Sequence, residues 1–288
     1  MKIAYFGTPQ FSADFLEKIL TDPELKEIEV ALVITRPDQP VGRKQVLTPS
    51  AVKLLAEKFS IPINYMNGNN LTNQQFNNID LALVYAFGKI IPADILQIPK
   101  YGFWNIHPSL LPKYRGPSPT TYPLLNGDKV TGVTLMKMDE KMDHGPIISQ
   151  VEYAIGPDMR RPELETELTN VGFELFKKEI LNVILAKAEG PLQGAGIQDH
   201  SQATYTKLLK KDDGFVVFQK IEDGIIEDGR EIYNKFRALY PWPGIWTLVD
   251  DKRMKITDCA FADGKLVIKK VQFEGKNEIP FNPSIINV

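Results

Sequence analysis

Apolar residues recur along this chain in two rhythms. KIAYF is a short apolar run that breaks at Gly7, Thr8 and Pro9; Phe11, Phe15, Leu16 and Ile19 then follow at helical spacing. The pattern predicts a strand and then a helix, with Pro9 in the helix's first turn. EVALVIT is continuous and β-branched, as expected of a strand covered on both faces. PSAVKLLAEKF predicts a second helix. DLALVYA and GFWNIHP predict two more buried strands, separated by a short helical segment around PADIL. This alternation predicts a parallel sheet with right-handed crossovers.

VTGVTLMKMD and PIISQVEYAI predict strands on either side of DEKMDHG. Leu164, Leu168, Val171, Leu175 and Phe176 share one face of the longest predicted helix, 163–188. PLQGAGIQDHSQAT has the composition of a linker. Beyond it, DGREIYNKFRAL predicts a helix. GIWTLVD, RMKITDCAFA and KLVIKKVQFE predict short alternating strands between Gly, Asn and Asp turns, the pattern of a small β-barrel. The expected class is α/β followed by a barrel.

With 288 residues, 43% of them hydrophobic, the chain is long enough for a buried core and for two domains. No run approaches 18 apolar residues, and MKIAYFGTP lacks the continuous apolar stretch of a signal peptide. A cytoplasmic protein with no membrane partner is expected. A formal net charge of −2 argues against a surface coated in basic residues, so any nucleic-acid contact rests on local patches. Cys259 is the single cysteine, which excludes an intrachain disulfide or a cysteine metal cluster. Its place in the alternating run KITDCAFADG predicts that it packs as a small hydrophobe.

In such sheets ligands collect at the carboxyl ends of the strands. Four loops are expected to converge there: 7–9, 86–88, 105–116 and 139–145. The opening turn carries one glycine, and neither a dinucleotide fingerprint nor a P-loop is present, so the site should not hold a nucleotide pyrophosphate. Asn105 and His107 are two apart and face the same side of a strand. An amide donor beside an imidazole suits a carbonyl carbon under attack, with both able to donate to a developing oxyanion. Asp143, in the later loop, is placed to orient His107 or to take a proton from an incoming amine. The alternative is a hydrogen-bonded core histidine and a solvated turn aspartate. His144 adjoins Asp143, but neighbours point apart and metal-ligand spacing is absent, so no metal is expected. His200 is expected to be exposed.

Pro108 and Pro112 stiffen the loop after His107. Ser109, Leu110, Leu111 and Pro112 would offer backbone groups with an apolar lining, suited to a flat heteroaromatic ligand. Val84, Phe87 and Gly88, in VYAFGKIIP, would form the other wall; ordinary packing is the alternative for both stretches.

NIHPSLLPKYRG, followed by GVTLMKMDEKMDHG, resembles the folate-dependent formyltransferases. The resemblance implies that Asn105, His107 and Asp143 are catalytic and that 109–112 contacts the folate of 10-formyltetrahydrofolate. It implies formyl transfer to an amine without a metal. FGTPQFS, TRPDQPVGRKQVLTPSAVK, ATYTKLLKKDDG and ALYPWPGIWT extend the likeness along nearly the whole chain, to the methionyl-tRNA formyltransferases. A Rossmann-like catalytic domain over 1–190, a linker over 191–205 and an OB-like, tRNA-contacting barrel over 206–288 are then expected, acting as a monomer on initiator methionyl-tRNA. A sugar-nucleotide N-formyltransferase, sharing the first domain, is the alternative.

The 35–53 stretch is longer than an ordinary strand-to-helix loop, which favours a functional reading. Arg36, Arg43 and Lys44 give it positive charge, and in the family this insertion meets the tRNA acceptor stem; a solvated surface loop is the alternative. The barrel's lysines are expected on solvated strand faces, with phosphate contact the alternative, and Trp242, Pro243 and Trp246 as structural packing, with base stacking the alternative.

Overall fold

The computed structural model describes residues 1–42, 44–67, 70–186, 196–217, 225–227 and 229–282. In chain order the regular elements begin with β1 (Lys2–Gly7), α1 (Gln10–Thr21), β2 (Glu29–Thr35), β3 (Gln39–Val41), β4 (Val46–Thr48), α2 (Ala51–Lys58), β5 (Ile63–Tyr65) and β6 (Leu81–Tyr85). They continue with β7 (Phe103–His107), α3 (Thr121–Asn126), β8 (Val130–Lys137), β9 (Ile147–Ala154) and α4 (Arg161–Ala186). The last are β10 (Ile225–Glu227), α5 (Arg230–Leu239), β11 (Ile245–Val249), β12 (Lys252–Ala262), β13 (Lys265–Phe273) and β14 (Ile279–Pro280).

The chain divides into two compact units. One comprises Met1–Pro117, Thr131–Tyr153 and Glu165–Tyr205; the other comprises Ser118–Val130, Ala154–Leu164 and Thr206–Val288. The first is built on a seven-stranded sheet in the order β5-β2-β1-β6-β7-β8-β9. Strands β5, β2, β1, β6 and β7 are mutually parallel. Of these, β1, β2, β6 and β7 are the strands for which the sequence predicted a parallel sheet, whereas β8, for which it gave no direction, runs antiparallel to β7 and makes the sheet mixed. Hydrophobic runs report burial but carry no information on strand direction, which is why the sequence did not reveal the reversal.

Alternation along the central strands fills both faces. Phe6 of β1 and Phe103 of β7 pack with Phe76 and Phe87 on one side. On the other side Tyr5, Tyr85 and Trp104 meet Phe15 of α1 and Phe176 of α4. The hydroxyls buried there are satisfied: Tyr5 bonds Ser12, and Tyr85 bonds Thr169 across 2.9 Å. Burial still pushes both phenols well above their ordinary pKa.

Three local expectations change. PADIL makes successive turns and no helix, with Ile95 N–H donating to the Pro92 carbonyl at 3.1 Å and Ile98 N–H to the Ile95 carbonyl at 3.2 Å. Pro92 and Pro99 bracket the segment, and buried Ile95 and Leu96 anchor it. The 35–53 stretch is not a plain loop, because β3 and β4 pair antiparallel within it. Pro9 precedes α1, and its carbonyl accepts from Ser12 and Ala13 N–H.

The second unit holds a five-stranded antiparallel arrangement, β10-β13-β12-β11 with β14 on β13. β11, β12 and β13 are the short strands that the sequence assigned to a small barrel; β10 and β14 were not among them. Tyr233, Phe236 and Leu239 of α5 pack into Ile245, Met254, Ile256, Leu266 and Ile268. Cys259 is buried in that core, and burial pushes its thiol up to about 12, consistent with packing and not reactivity. Trp246 is packed, its indole N–H donating to the Lys211 carbonyl and its ring under Arg253, whereas Trp242 is 54% exposed and is not packing of the expected kind.

Phe176→Ala should destabilise the protein by about 3–5 kcal/mol, since the side chain is fully buried between Phe15 and Trp104. Urea unfolding followed by tryptophan fluorescence measures it.

Candidate active site

β7 carries Phe103, Asn105 and His107 on one face, with Trp104 and Ile106 on the other. Asn105 lies between Val84 of β6 and Met136 of β8 in register, and His107 lies beside Thr134. His107 is buried and Asn105 only partly so. The imidazole Nε2 is 3.0 Å from the Tyr114 carbonyl oxygen. A carbonyl can only accept, so Nε2 carries the hydrogen and Nδ1 is left to face Asp143 Oδ1 at 3.6 Å. Asp143 Oδ2 in turn accepts the Gly116 N–H at 2.6 Å.

Asp143 reaches this position by an unexpected route. Because β8 is antiparallel, Lys137 at its end pairs with Trp104, three residues short of His107. The 139–145 loop therefore spans roughly 10 Å back toward the ring. Gly145 makes the departure possible, as a Cβ there would lie 1.9 Å from the Lys137 carbonyl oxygen. Tyr114 and Asp143 both take left-handed backbone, at φ 62° and 51°. Such conformations in non-glycine residues persist where surrounding contacts over-determine them.

The 109–112 segment is held tightly. Thr134 Oγ1 donates to the Ser109 carbonyl at 2.6 Å and accepts from Leu111 N–H at 3.1 Å. Gln150 Nε2 donates to the Leu111 carbonyl at 2.9 Å and to Thr134 Oγ1 at 2.7 Å. Ser109 Oγ is turned to the Lys113 carbonyl, so this hydroxyl is engaged within its own loop. Leu110 lies over Gly132, where a Cβ would come within 2.5 Å of Leu110 Cδ2. Opposite Asn105, Val84 is buried in β6 and Phe87 packs edge-on against Phe6, while the space above Gly88 is open. Most of the segment's polar groups are thus already satisfied by protein, and apolar surface with an open glycine remains. That arrangement fits a flat apolar ring.

The other residues singled out by the sequence fall elsewhere. Arg36 and Lys44 are exposed on and beside the β3–β4 hairpin, together with the exposed apolar residues Val41, Val46 and Leu47; Arg43 lies outside the described residues. Among the described residues no cluster of ligands could hold a metal ion. His144 Nδ1 is instead 2.6 Å from Asp139 Oδ2. Its ring stacks on His200 at 3.9 Å between centroids, so His200 is solvent-exposed but not idle. Partial desolvation of the stacked ring first, then neighbouring His144, Arg115 and Lys141, hold the His200 pKa below its ordinary value, against Asp139.

Sequence reasoning missed Arg115, Thr134, Gln150 and Gln198. Arg115 stands within KYRG, and Thr134 and Gln150 sit at alternate strand positions, so a local signal exists for each. Gln198 has none, lying in a stretch with linker composition. Of that stretch, 191–195 lies outside the described residues, and the rest belongs to the first unit.

Two family models match the chain: Formyl transferase over residues 1–180, and Formyl transferase, C-terminal domain, over 209–262. The methionyl-tRNA formyltransferase of Caldicellulosiruptor saccharolyticus is 38% identical over 270 residues, covering 91% of this chain and 80% of that protein. The methionyl-tRNA formyltransferase of Staphylococcus aureus strain JH1 is 35% identical over 266 residues, with the same coverage. Among solved structures, an N-formyltransferase from Helicobacter canadensis in complex with folinic acid and dTDP-3-aminofucose superposes with a TM-score of 0.60 at 20% identity, covering 98% of this chain and 99% of that one. HypX from Aquifex aeolicus with tetrahydrofolic acid gives 0.65 at 14% identity, over 97% of this chain and 46% of that one. These two likenesses speak to the fold. The match over most of both curated relatives reaches further: this chain belongs to the formyl transferase family, among the methionyl-tRNA formyltransferases.

Proposed function

We propose that the protein formylates the amino group of initiator methionyl-tRNA, giving N-formylmethionyl-tRNA for translation initiation. The observation that carries this is 38% identity across nine-tenths of the chain, both matched domains included, to a curated methionyl-tRNA formyltransferase. 10-Formyltetrahydrofolate would supply the formyl carbon when bound, and Leu110, Leu111 and Pro112, with Val84, Phe87 and Gly88 and with Ser109 shaping the turn, would hold it.

The amine nitrogen of methionine bonds to the formyl carbon, the bond from that carbon to the folate nitrogen breaks, and one proton passes from the amine to the departing nitrogen. Asn105 donates its amide hydrogen to the formyl oxygen as negative charge develops there. His107, fixed through Nε2 to Tyr114, presents Nδ1 for proton exchange. Asp143 faces that nitrogen and stabilises its protonated form, which assists removal of the amine proton. Arg36, Arg43 and Lys44 contact acceptor-stem phosphates, and the second unit contributes further tRNA contacts. The protein works as a cytoplasmic monomer. No helix among the described residues is long and apolar enough to cross a membrane.

Incubating the protein with 10-formyltetrahydrofolate and initiator methionyl-tRNA, uncharged tRNA or an amino-sugar nucleotide tests the acceptor. Formyl transfer to the charged tRNA alone is expected; transfer to the sugar alone overturns the assignment in favour of a sugar N-formyltransferase. Asn105→Ala and Asp143→Ala should each lower kcat by roughly 10²–10³-fold with unchanged circular dichroism. The double variant Arg36→Ala, Lys44→Ala should raise KM for the tRNA and reduce the slope of log affinity against log salt by roughly 2, one per lost phosphate contact.

A further inference from the structure

Gln198 is buried in the segment that runs from Gly196 to Tyr205, between the two matched family spans. Its amide nitrogen donates to two backbone carbonyls of the 139–145 loop, Asp143 at 3.0 Å and Gly145 at 2.8 Å. Its amide oxygen accepts from Arg115 Nη2 at 2.6 Å. Arg115 is buried and is the residue before Gly116, whose N–H holds the Asp143 carboxylate. The contacts close a circuit: Arg115 to Gln198, Gln198 to the Asp143 main chain, the Asp143 carboxylate to Gly116, and Gly116 back to Arg115 by the peptide bond.

The segment bearing Gln198 is itself fixed. Gly196 and Ile147 exchange backbone hydrogen bonds at 2.8 Å each. Arg115 N–H donates to the Thr204 carbonyl at 2.9 Å, and Tyr114 N–H to Thr204 Oγ1 at 2.8 Å. Arg115 also approaches His200 Nδ1 at 2.8 Å. Two donors and one acceptor on a planar group is the inventory of a primary amide; a carboxylate of the same size has no donors.

We infer that Gln198 is a positioning residue for formyl transfer, holding the left-handed Asp143 backbone so that its carboxylate faces His107 Nδ1. This rests on the catalytic reading of Asp143 given above. Arg115 acts through it, orienting the amide by occupying its oxygen. A merely structural glutamine would stabilise the fold equally whether or not residue 143 were a carboxylate. A positioning one matters only while there is a carboxylate to position.

The test is a double-mutant cycle on the full chain, measuring kcat and both KM values for Gln198→Ala, Asp143→Asn and the pair. Gln198→Ala should lower kcat roughly ten- to a hundredfold with KM values within about twofold. In the Asp143→Asn background the same change should cost less than about twofold, the signature of coupled residues. Gln198→Glu, which keeps the volume and the Arg115 contact but loses both donors, should fall as far as Gln198→Ala, and it serves in its place if the alanine variant melts below the assay temperature. Equal losses in both backgrounds, or wild-type kcat in either Gln198 variant, overturn the inference while leaving Asp143 catalytic. Wild-type turnover in Asp143→Asn overturns the Asp143 reading and this inference with it.

Discussion

One imidazole ring sets the terms for the rest of the first unit. His107 ends a buried strand with Nε2 committed to the Tyr114 carbonyl, and this fixes which nitrogen is left to face Asp143. Nothing in β7 itself supplies that partner. The chain must turn within seven residues to bring Tyr114 back, and it does so through a segment whose backbone is bound at Ser109 and Leu111 by Thr134 and Gln150. The same return places Gly116 against Asp143. The ring, its orienting carbonyl and its facing carboxylate are therefore products of one loop conformation, and a change that loosens the loop disturbs all three.

The sheet makes this economy of parts possible. Parallel strands bring Val84 and Asn105 side by side at their carboxyl ends, where ligands collect. The antiparallel β8 then puts Thr134 beside His107, inside the sheet, where its hydroxyl reaches the 109–112 segment. The consequence is that Asp143 starts from the far end of β8 and needs a long loop to arrive, in which it takes left-handed backbone itself. Strain of this kind, of order 1–3 kcal/mol per residue, is kept only by contacts made elsewhere, and the Gly116 and Gln198 bonds are such contacts.

What can be read from the sequence follows from where the information lies. EVALVIT forms β2 residue for residue, and the strands around DLALVYA and GFWNIHP lie where apolar runs place them, because burial on both faces is a local compositional fact. Asn105 and His107 share a face because strand alternation demands it. PADIL misleads because its apolar spacing imitates a helix while Pro92 and Pro99 leave room only for turns. The reversal of β8, the β3–β4 hairpin, and the contacts of His200 and Gln198 depend on neighbours that local composition does not encode. Gln198 lies 55 residues from Asp143, and no local pattern marks it.

The arrangement of the first unit turns on the His107 ring being held with Nε2–H on Tyr114 and Nδ1 toward Asp143. ¹⁵N NMR of the protein labelled at its three histidines, with His107 assigned by the signal lost in His107→Asn, reads this directly. Neutral His107 is expected as the Nε2–H tautomer. A neutral ring carrying its hydrogen on Nδ1 would contradict it, since Nε2 would then have nothing to donate to the Tyr114 carbonyl.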